Sequence, residues 1–234
     1  MSSEALDELS ERIANRSARV GVIGLGYVGL PLAVELASAG FEVIGFDIDA
    51  TKVAAIEAGN SYIGDVSQEQ LLSAREGDRF RATTDFEELH EVEIVNVCVP
   101  TPLTKTKDPD VSFMASAVEA IRDRLHPGRL IILGSTTYPG TTRELFVPVL
   151  EETGLKVGSD FSLAFAPERI DPGNTQFKVK NVPKVVGGET KICTELACQL
   201  FNTVFETTVP VSSTQAAEMV KLLENTFRAI NIGL

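Results

Sequence analysis

Short runs of apolar residues alternate along the chain with longer segments in which apolar positions recur every three or four residues. Arg19 to Gly24 (RVGVIG) and Glu42 to Asp47 (EVIGFD) are typical of strands buried on both faces. Leu30 to Ala39, closed by Gly40, has helical spacing. A strand, a helix and a second strand in this order predict one βαβ unit with parallel strands.

The same alternation continues through the rest of the chain. Further strands are predicted at Glu93 to Val99, Leu130 to Ser135, Ser162 to Ala166, Lys184 to Val186 and Val204 to Val209, and helices at about 50–58, 112–125, 141–152 and 190–202. This pattern indicates an α/β fold, a Rossmann-like and doubly wound sheet that is mostly parallel. We expect that domain to cover residues 19–211, after an N-terminal extension at 1–18 that is helical.

The last predicted element is a long C-terminal helix at 212–234. Ser212-Ser213-Thr214-Gln215 has the form of an N-cap with a capping box, and the helical pattern then runs to Leu234 without a stop signal. We therefore expect the helix to continue in a longer protein, in which it is the beginning of a central helix. A helix that ends in solvent or at an oligomer interface is the alternative.

Composition excludes several classes of protein. The 234 residues include 33 acidic and 21 basic side chains, and a net charge of -12 excludes a basic nucleic-acid clamp. The longest uncharged stretch, Val20 to Val34, contains Gly and Pro and is shorter than the ~20 residues of a membrane-spanning helix. Three cysteines without CxxC spacing indicate neither a disulfide framework nor a zinc site. We expect a cytoplasmic protein with no metal and no membrane partner.

A glycine-rich motif lies between the first strand and the first helix of the βαβ unit. It consists of Gly24, Leu25, Gly26, Tyr27, Val28 and Gly29, which match GxGxxG. Gly24 is expected to permit the tight turn, Gly26 to let the backbone approach a pyrophosphate, and Gly29 to let helix and strand pack closely. The N-terminus of the helix offers N–H groups to the anion.

Asp47 ends the second strand at about the spacing, roughly 20 residues beyond the glycines, at which an acid accepts hydrogen bonds from the adenosine ribose. A carboxylate there repels a 2′-phosphate and no Arg follows immediately, so NAD is favoured over NADP as the cofactor. Asp49 is better explained as the N-cap of the next helix. Lys52 lies one helical turn further on, near the same adenosine end, and a solvated surface lysine is an equal alternative.

Two loops follow later strands, where ligands bind in open α/β sheets. They are Val99-Pro100-Thr101-Pro102 and Ser135 to Thr142 (STTYPGTT). Their hydroxyl groups suit a ribose, an amide or a water molecule. Turns with Thr caps are an equal alternative for both loops.

Charged residues follow another strand and lie on the last helix. Glu168 and Arg169 belong to FAPER, which is followed by DPGN at 171–174, and a surface ion pair is the alternative to a site. Lys221 and Asn225 share one face of the helix because they are four residues apart. Lys221 is a candidate stabiliser of a developing oxyanion, and a solvated pair with Glu218 is the ordinary alternative.

Several motifs together resemble one family. In chain order they are VGVIGLGYVGLPLA, VCVPTPL, GSTTYPGTT, FAPERIDPGN, PKVVGG and VSSTQAAEMVKLLENTFRAINIGL. They resemble the UDP-glucose/GDP-mannose dehydrogenase family, nucleotide-sugar dehydrogenases that oxidise the C6 alcohol of a UDP-hexose to a carboxylate. The PER and STTYPGTT motifs are most similar to the branch that acts on UDP-N-acetylhexosamines, above all UDP-N-acetylglucosamine, for surface-polysaccharide synthesis. UDP-N-acetylmannosamine and UDP-glucose remain alternatives, and a non-catalytic NAD-sensing module is a remote one.

The resemblance implies roles for individual residues in two successive NAD-dependent oxidations, alcohol to aldehyde and aldehyde to acid. Lys221 matches the lysine that stabilises oxyanions, with Asn225 beside it, and Thr136 matches a threonine that positions water. Glu168 matches a glutamate near the nicotinamide and the reacting carbon. The expected cofactor contacts outside the βαβ unit are Val99, Pro100, Thr101, Ser135, Thr136 and Glu168, and the expected substrate contacts are Glu168, Arg169, Lys221 and Asn225.

The resemblance also bears on completeness and assembly. The family's second oxidation passes through a thioester on a cysteine in a glycine-rich motif beyond the central helix, and none of Cys98, Cys193 and Cys198 matches it. We therefore expect this chain to be the cofactor-binding half of a longer enzyme, incomplete on its own. The family's central helix forms a dimer core, which implies a homodimer through the C-terminal helix.

Overall fold

A computed structural model describes residues 4–106, 109–169 and 182–233. Its strands are β1 (Arg19–Ile23), β2 (Glu42–Phe46), β3 (Phe80–Thr83), β4 (Ile94–Val97), β5 (Leu130–Leu133), β6 (Ser162–Phe165), β7 (Lys184–Gly188) and β8 (Thr208–Pro210). Within the described residues they form one sheet in the order β3-β2-β1-β4-β5-β6-β7-β8. The first six positions follow the Rossmann order, so the predicted doubly wound sheet is confirmed.

Strand direction changes only near one edge of this sheet. The pairs from β3 to β6 are all parallel. Strand β7 runs antiparallel to β6, with Ala164 opposite Gly188, and β8 runs parallel to β7. The carboxyl ends of β1 to β6 therefore meet at the same end of the sheet, which is where the predicted site residues follow.

The helices are α1 (Glu4–Ala14), α2 (Gly29–Ser38), α3 (Ala50–Glu57), α4 (Gln68–Arg75), α5 (Ser112–Arg122), α6 (Val147–Glu151), α7 (Lys191–Phe201) and α8 (Thr214–Gly233). Two 3₁₀-helical turns lie at Glu76–Asp78 and Phe86–Glu91, and a π-helical turn at Thr142–Phe146 leads into α6. The predicted long C-terminal helix is confirmed as α8. None of the helices in the described ranges is long and apolar enough to cross a membrane.

Two elements were missed and one was misplaced by the hydrophobic pattern. Helix α4 is too polar to predict, since only Leu71 and Ala74 are buried. Strand β3 forms no continuous apolar run, since only Phe80 and Ala82 of its four residues are buried. The strand predicted from Val204 begins only at Thr208. Val204 and Phe205 are apolar because they are buried after α7, where the Phe205 ring meets that of Phe201 edge-on at 5.6 Å.

Apolar side chains cover both faces of the sheet. One layer contains residues of α1, α2 and α7, among them Leu6, Leu36 and Leu200. The other contains residues of α5, α6 and α8, including Val118 and Leu150. The strands are therefore buried on both faces, which explains why they read as continuous apolar runs.

Helix α1 belongs to this packed body. Leu6, Leu9 and Ile13 are buried along one face. Two hydrogen bonds fix α1 to α7, because Ser10 Oγ donates to Gln199 Oε1 and Gln199 Nε2 donates to the Ser10 carbonyl oxygen, both at 2.9 Å.

Candidate functional site

A cleft of about 1090 Å³ opens at the carboxyl ends of the parallel strands. The glycine loop after β1 and Asp47 after β2 lie on its wall, as do the loops after β4 and β5. Glu168 and Lys221 line it as well. The cleft is therefore where an open α/β sheet binds its ligand.

The glycine loop has the backbone that its sequence predicts. Gly24 has a φ of +89°, and its N–H donates to the Phe46 carbonyl oxygen at 2.7 Å. A Cβ on Gly29 would lie 1.8 Å from the Gly24 carbonyl oxygen, so α2 approaches β1 more closely than any side chain permits. Leu25 and Gly29 are buried and do not line the cleft.

The N-terminus of α2 opens on the cleft at Gly26, Tyr27 and Val28. A Cβ on Gly26 would meet nothing within 4 Å, so the backbone is open there. No side chain in the described part of the chain caps α2. Because the first N–H groups of a helix have no partner within it, this end suits an anionic group.

Asp47 holds the turn between β2 and α3. Its Oδ2 accepts a hydrogen bond from the Leu25 N–H at 2.8 Å, and its Oδ1 accepts one from the Asp49 N–H at 3.0 Å. Lys52 Nζ lies 3.2 Å from Asp47 Oδ2, so Lys52 is an ion-pair partner of Asp47 and not a solvated surface lysine. Asp49 accepts from the Thr51 N–H and caps α3, as predicted.

The loops after β4 and β5 are joined to each other. Thr101 Oγ1 donates to the Thr136 carbonyl oxygen at 2.6 Å. Ser135 is buried and its Oγ lies 3.4 Å from the Val97 carbonyl oxygen. Thr137 and Thr141 share a hydrogen bond of 2.6 Å between their hydroxyl groups. The two Thr-containing loops form one connected wall and are more than separate capped turns.

Glu168 lies between two lysines. Lys221 Nζ, from α8, donates to the Glu168 backbone carbonyl oxygen. Lys184 Nζ, from β7, lies 3.3 Å from Glu168 Oε2, and the Lys184 side chain is buried against the rings of Phe201 and Phe205. Burial lowers the pKa of Lys221 below the usual lysine value, and the nearby Glu168 opposes that shift. Two lysine ammonium groups and one carboxylate thus meet at this end of the cleft.

Two predicted residues lie outside the cleft. Arg169 Nε donates to Glu224 Oε2 at 2.8 Å and Arg169 Nη1 to the Pro183 carbonyl oxygen at 2.7 Å, so Arg169 pairs with α8 and not with Glu168. Asn225 is half-buried and does not line the cleft. The DPGN motif at 171–174 lies outside the described residues.

The alternative of a solvated pair between Glu218 and Lys221 is wrong. Glu218 is fully buried, and its carboxylate accepts hydrogen bonds from Gly140 and Thr142. The face of α8 that carries Glu218 packs against the loop after β5, so the carboxylate turns away from Lys221.

Cys98 is not a candidate nucleophile. It follows β4 and is buried, and burial raises the pKa of its thiol to about 12. Cys193 is also buried. Since a thiolate is the nucleophilic form, neither thiol is poised for covalent chemistry.

Comparison with known proteins identifies the family. The family model described as UDP-glucose/GDP-mannose dehydrogenase family, NAD binding domain, matches residues 18–206. The chain belongs to this family. Its cofactor is NAD, which is the dinucleotide that the Asp47 carboxylate predicts.

Individual relatives agree on the family and differ in substrate. The chain is 38% identical to a UDP-N-acetyl-D-glucosamine 6-dehydrogenase of Pseudomonas aeruginosa over 221 residues, which is 94% of this chain and 51% of the relative. A solved structure of a UDP-D-ManNAc dehydrogenase from Pyrococcus horikoshii matches with a TM-score of 0.86 and 35% identity, over 92% of this chain and 51% of that one. A GDP-mannose dehydrogenase of Pseudomonas aeruginosa matches with a TM-score of 0.85 and 28% identity, over 92% and 50%. The chain spans about half the length of the relatives it matches.

The residues of the cleft fit NAD. Among the described residues, α2 has no side-chain cap, and its N-terminus adjoins the open backbone at Gly26, which is the arrangement a pyrophosphate needs. Asp47 lies at the end of the neighbouring strand, where it faces the cleft. Thr101, Ser135 and Thr136 line the cleft beyond the glycine loop, on the side of Glu168 and Lys221.

Several residues that line the cleft were missed at the sequence level. They are Ile48, Phe86, Ser112, Phe113, Ser116 and Arg228. Arg228 lies seven residues after Lys221, so helical spacing alone places it on the same face of α8. Ile48, 76% exposed between two aspartates, is an isolated apolar residue in a turn, and its exposure is visible only in the fold.

Proposed function

We propose that this chain is the NAD-binding part of a UDP-N-acetylhexosamine 6-dehydrogenase whose substrate is UDP-N-acetylglucosamine. The enzyme would oxidise the C6 alcohol to a carboxylate in two NAD-dependent steps. The observation that carries the proposal is the Lys221 ammonium group beside Glu168, at the end of a cleft that begins with a dinucleotide loop. A sensor of NAD has no need of that ammonium group. When bound in the cleft, NAD would supply the hydride acceptor for each oxidation.

Lys221 is the proposed stabiliser of negative charge on the reacting oxygen. Its side chain is half-buried and lines the cleft, and burial lowers its pKa. A charge in a site of low dielectric interacts more strongly with a developing oxyanion than the same charge in water. Asn225, on the next turn of α8, is proposed to support Lys221; neither Asn225 nor Arg169 lines the cleft, so neither is proposed to contact the substrate there.

Glu168 and Thr136 are proposed to handle the proton and the water. The Glu168 carboxylate lies 3.3 Å from Lys184 Nζ, and this ion pair orients the proposed proton acceptor. Thr136 lines the cleft with its backbone held by Thr101, so its hydroxyl group is available to orient a water molecule. Lys221, Glu168 and Thr136, from three different parts of the chain, thus line the same cleft.

The complete reaction is proposed to need a cysteine outside these 234 residues. Cys98 and Cys193 are buried, and burial raises the pKa of both Cys98 and Cys198. The chain should bind NAD without completing the oxidation to the acid. Uronic acid formation by the chain alone would contradict this part of the proposal.

UDP-N-acetylmannosamine is the second candidate substrate. It is favoured by the likeness to the Pyrococcus horikoshii UDP-D-ManNAc dehydrogenase, at 35% identity and a TM-score of 0.86. The two sugars differ in configuration at one carbon, so turnover of the full-length enzyme on a panel of UDP-sugars separates them. The proposed substrate should have the highest kcat/KM.

Replacing Lys221 tests the proposed chemistry. In the full-length enzyme, Lys221→Met should lower kcat by roughly 100-fold or more, since it removes the charge that stabilises the oxyanion. The dissociation constant of NAD should change little. Lys156→Met is the matched control, because Lys156 is an exposed lysine paired with Glu151 far from the cleft. Normal turnover of the Lys221 variant would contradict the proposed role.

The pH dependence of turnover has a defined direction. The oxyanion stabiliser acts as an ammonium group, and it is lost when pH rises through the pKa of Lys221. Because burial lowers that pKa, the alkaline loss of kcat should occur below the ordinary lysine value. If kcat falls only at or above the ordinary lysine pKa, the loss of turnover is not caused by deprotonation of Lys221, and the proposed role of Lys221 is contradicted.

A further inference from the structure

We propose that Glu218 is a positioning residue that sets the distance between Lys221 on α8 and the Thr136 loop after β5. This inference rests on the proposed roles of Lys221 and Thr136. It assigns to Glu218 a task that neither residue performs, namely to hold the two catalytic segments in register. Glu218 itself does not line the cleft and therefore does not act on the substrate or on NAD.

The carboxylate of Glu218 joins two distant parts of the chain. Its Oε2 accepts from the Gly140 N–H at 2.5 Å, and its Oε1 accepts from the Thr142 N–H at 2.9 Å and the Thr142 hydroxyl at 2.6 Å. Gly140 and Thr142 lie 78 and 76 residues before Glu218 in the sequence. Three donors on one segment therefore converge on one side chain of another.

Burying the Glu218 carboxylate is energetically unfavourable unless hydrogen bonds replace its lost hydration. Glu218 is 0% exposed, and a buried carboxylate loses its hydration. An apolar side chain at this place would avoid that cost but would leave the Gly140 and Thr142 N–H groups without this acceptor. Hydrogen bonds to a carboxylate are directional, so they fix the position of the helix where apolar contacts would let it slide.

The contacts of Glu218 continue to the cleft in both directions. On α8, Lys221 lies three residues further on, nearly one helical turn, and donates to the Glu168 carbonyl oxygen. On the loop, Thr141 bonds Thr137, and the neighbouring Thr136 accepts from Thr101. A shift of α8 at Glu218 would thus change the separation of Lys221 from Thr136.

The titration of Lys221 reports the position of α8. Its pKa is lowered mainly by burial; Glu168 and Glu224 oppose the shift, and Arg228 and Lys184 add to it. Within the described part of the chain, these are the charged groups that act on Lys221 from the loop after β6, from β7 and from α8 itself. If α8 moves outward, Lys221 becomes more hydrated and its pKa rises. Helix displacement can therefore be measured in this chain without any turnover.

The test compares Glu218→Gln with wild type in the 234-residue chain. Gln keeps the shape but puts an NH₂ group against backbone N–H donors. We expect the Lys221 pKa, measured by pH-dependent acetylation and mass spectrometry, to rise by about one unit. We also expect the amides of residues 140–142 to exchange hydrogen about tenfold faster, while the dissociation constant of NAD changes less than about threefold. In the full-length enzyme, kcat should fall on the order of 100-fold with KM for NAD unchanged.

Two further variants keep the test decisive. Thr142→Val removes only the hydroxyl donor and should raise the Lys221 pKa in the same direction by less, whereas Thr142→Ser should restore the wild-type value. Leu9→Ala, buried on α1 away from the cleft, lowers stability without touching α8 and should leave the Lys221 titration unchanged. Thr142→Val also supplies the result if Glu218→Gln does not fold.

The proposal is overturned if residues 140–142 exchange faster in Glu218→Gln or Thr142→Val but Lys221 titrates as in wild type. Glu218 would then support its loop alone. It is also overturned if Leu9→Ala shifts Lys221 as much as Glu218→Gln does. If Lys221 shifts as expected but full-length Lys221→Met turns over normally, the proposed function fails while the positioning contact stands.

Discussion

Asp47 shows how one side chain combines a structural and a binding task. It accepts backbone hydrogen bonds from Leu25 in the glycine loop and from Asp49 in its own turn, and it forms an ion pair with Lys52. The Asp47 carboxylate thereby stabilises its own turn and also lines the cleft. A ribose would approach oxygens that are already oriented, which reduces the ordering that binding requires.

Replacing Asp47 should weaken NAD binding. Asn has the same size but carries an NH₂ donor in place of one acceptor oxygen. That NH₂ group cannot accept a hydrogen bond from the Leu25 N–H or from a ribose hydroxyl group. At about 1.5–3 kcal/mol for a hydrogen bond to a charged group, we expect Asp47→Asn to raise the dissociation constant roughly 10- to 100-fold. Calorimetric titration of the chain with NAD measures this.

Asp160→Asn is the control for that experiment, since Asp160 accepts from the Lys156 N–H far from the cleft. It should bind NAD as wild type does. The preference for NAD over NADP should also shrink in Asp47→Asn, because the carboxylate no longer repels a 2′-phosphate. Equal NAD affinity in both variants would count against the assignment of Asp47 to the ribose.

Among the elements, the 3₁₀-helical turn at Phe86–Glu91 is held by a residue that lies just before strand β5. Arg129, which precedes β5, is buried and donates from Nη2 to the carbonyl oxygens of Leu89 and Val92, at 2.7 and 2.8 Å. Burial lowers the pKa of this arginine to about 10. The turn matters to the site because Phe86 lines the cleft.

Arg129→Met should destabilise the protein, because the Val92 carbonyl group loses its side-chain donor and the Leu89 carbonyl group keeps only the Val92 N–H, at 3.4 Å. Each lost hydrogen bond costs about 1–3 kcal/mol, partly offset by removal of a buried charge, so we expect the free energy of unfolding to fall by about 2 kcal/mol. Urea denaturation measures it. Arg122→Met, which removes surface ion pairs with Asp123 and Glu152, should have little effect. Equal midpoints for the two variants would contradict the role of Arg129.

For the whole molecule, α8 presents two different faces. Thr214, Ala217 and Glu218 are buried against the sheet and the loop after β5. A stripe on the other side is exposed and apolar: Met219, Leu223, Phe227 and Ile230. Exposed apolar stripes of this kind drive association. We propose that two copies of the chain pair through this stripe.

Light scattering tests the proposed pairing. The wild-type chain, of 25.2 kDa, should have the mass of a dimer at high concentration. The double variant Leu223→Glu with Phe227→Glu should have the mass of a monomer, because charge in the stripe prevents its burial. Asn60→Glu, at an exposed polar position after α3 and away from α8, should remain dimeric. A wild-type monomer at high concentration would contradict the proposal.

The sequence by itself determined the local structure of the cofactor-binding βαβ unit. Apolar runs and helical spacing identified most strands and helices, since these patterns reflect burial of residues close in the chain. The GxGxxG motif and Asp47 could also be placed from the sequence, because a strand, a turn and a helix in succession bring them together without any contact to distant residues. These features were confirmed in the fold as β1, α2 and β2.

Only the tertiary structure decided which distant side chains meet. Glu218 looks like half of a helical ion pair with Lys221, yet it bonds residues 76 and 78 positions away. In the sequence Lys184 is an ordinary strand residue, and the packing of β7 places it beside Glu168. The packing of distant elements also leaves Arg169 and Asn225 outside the cleft. Periodicity records which face of an element is buried. What that face is buried against depends on how α8 and β7 pack on the sheet, and that is a property of the whole chain.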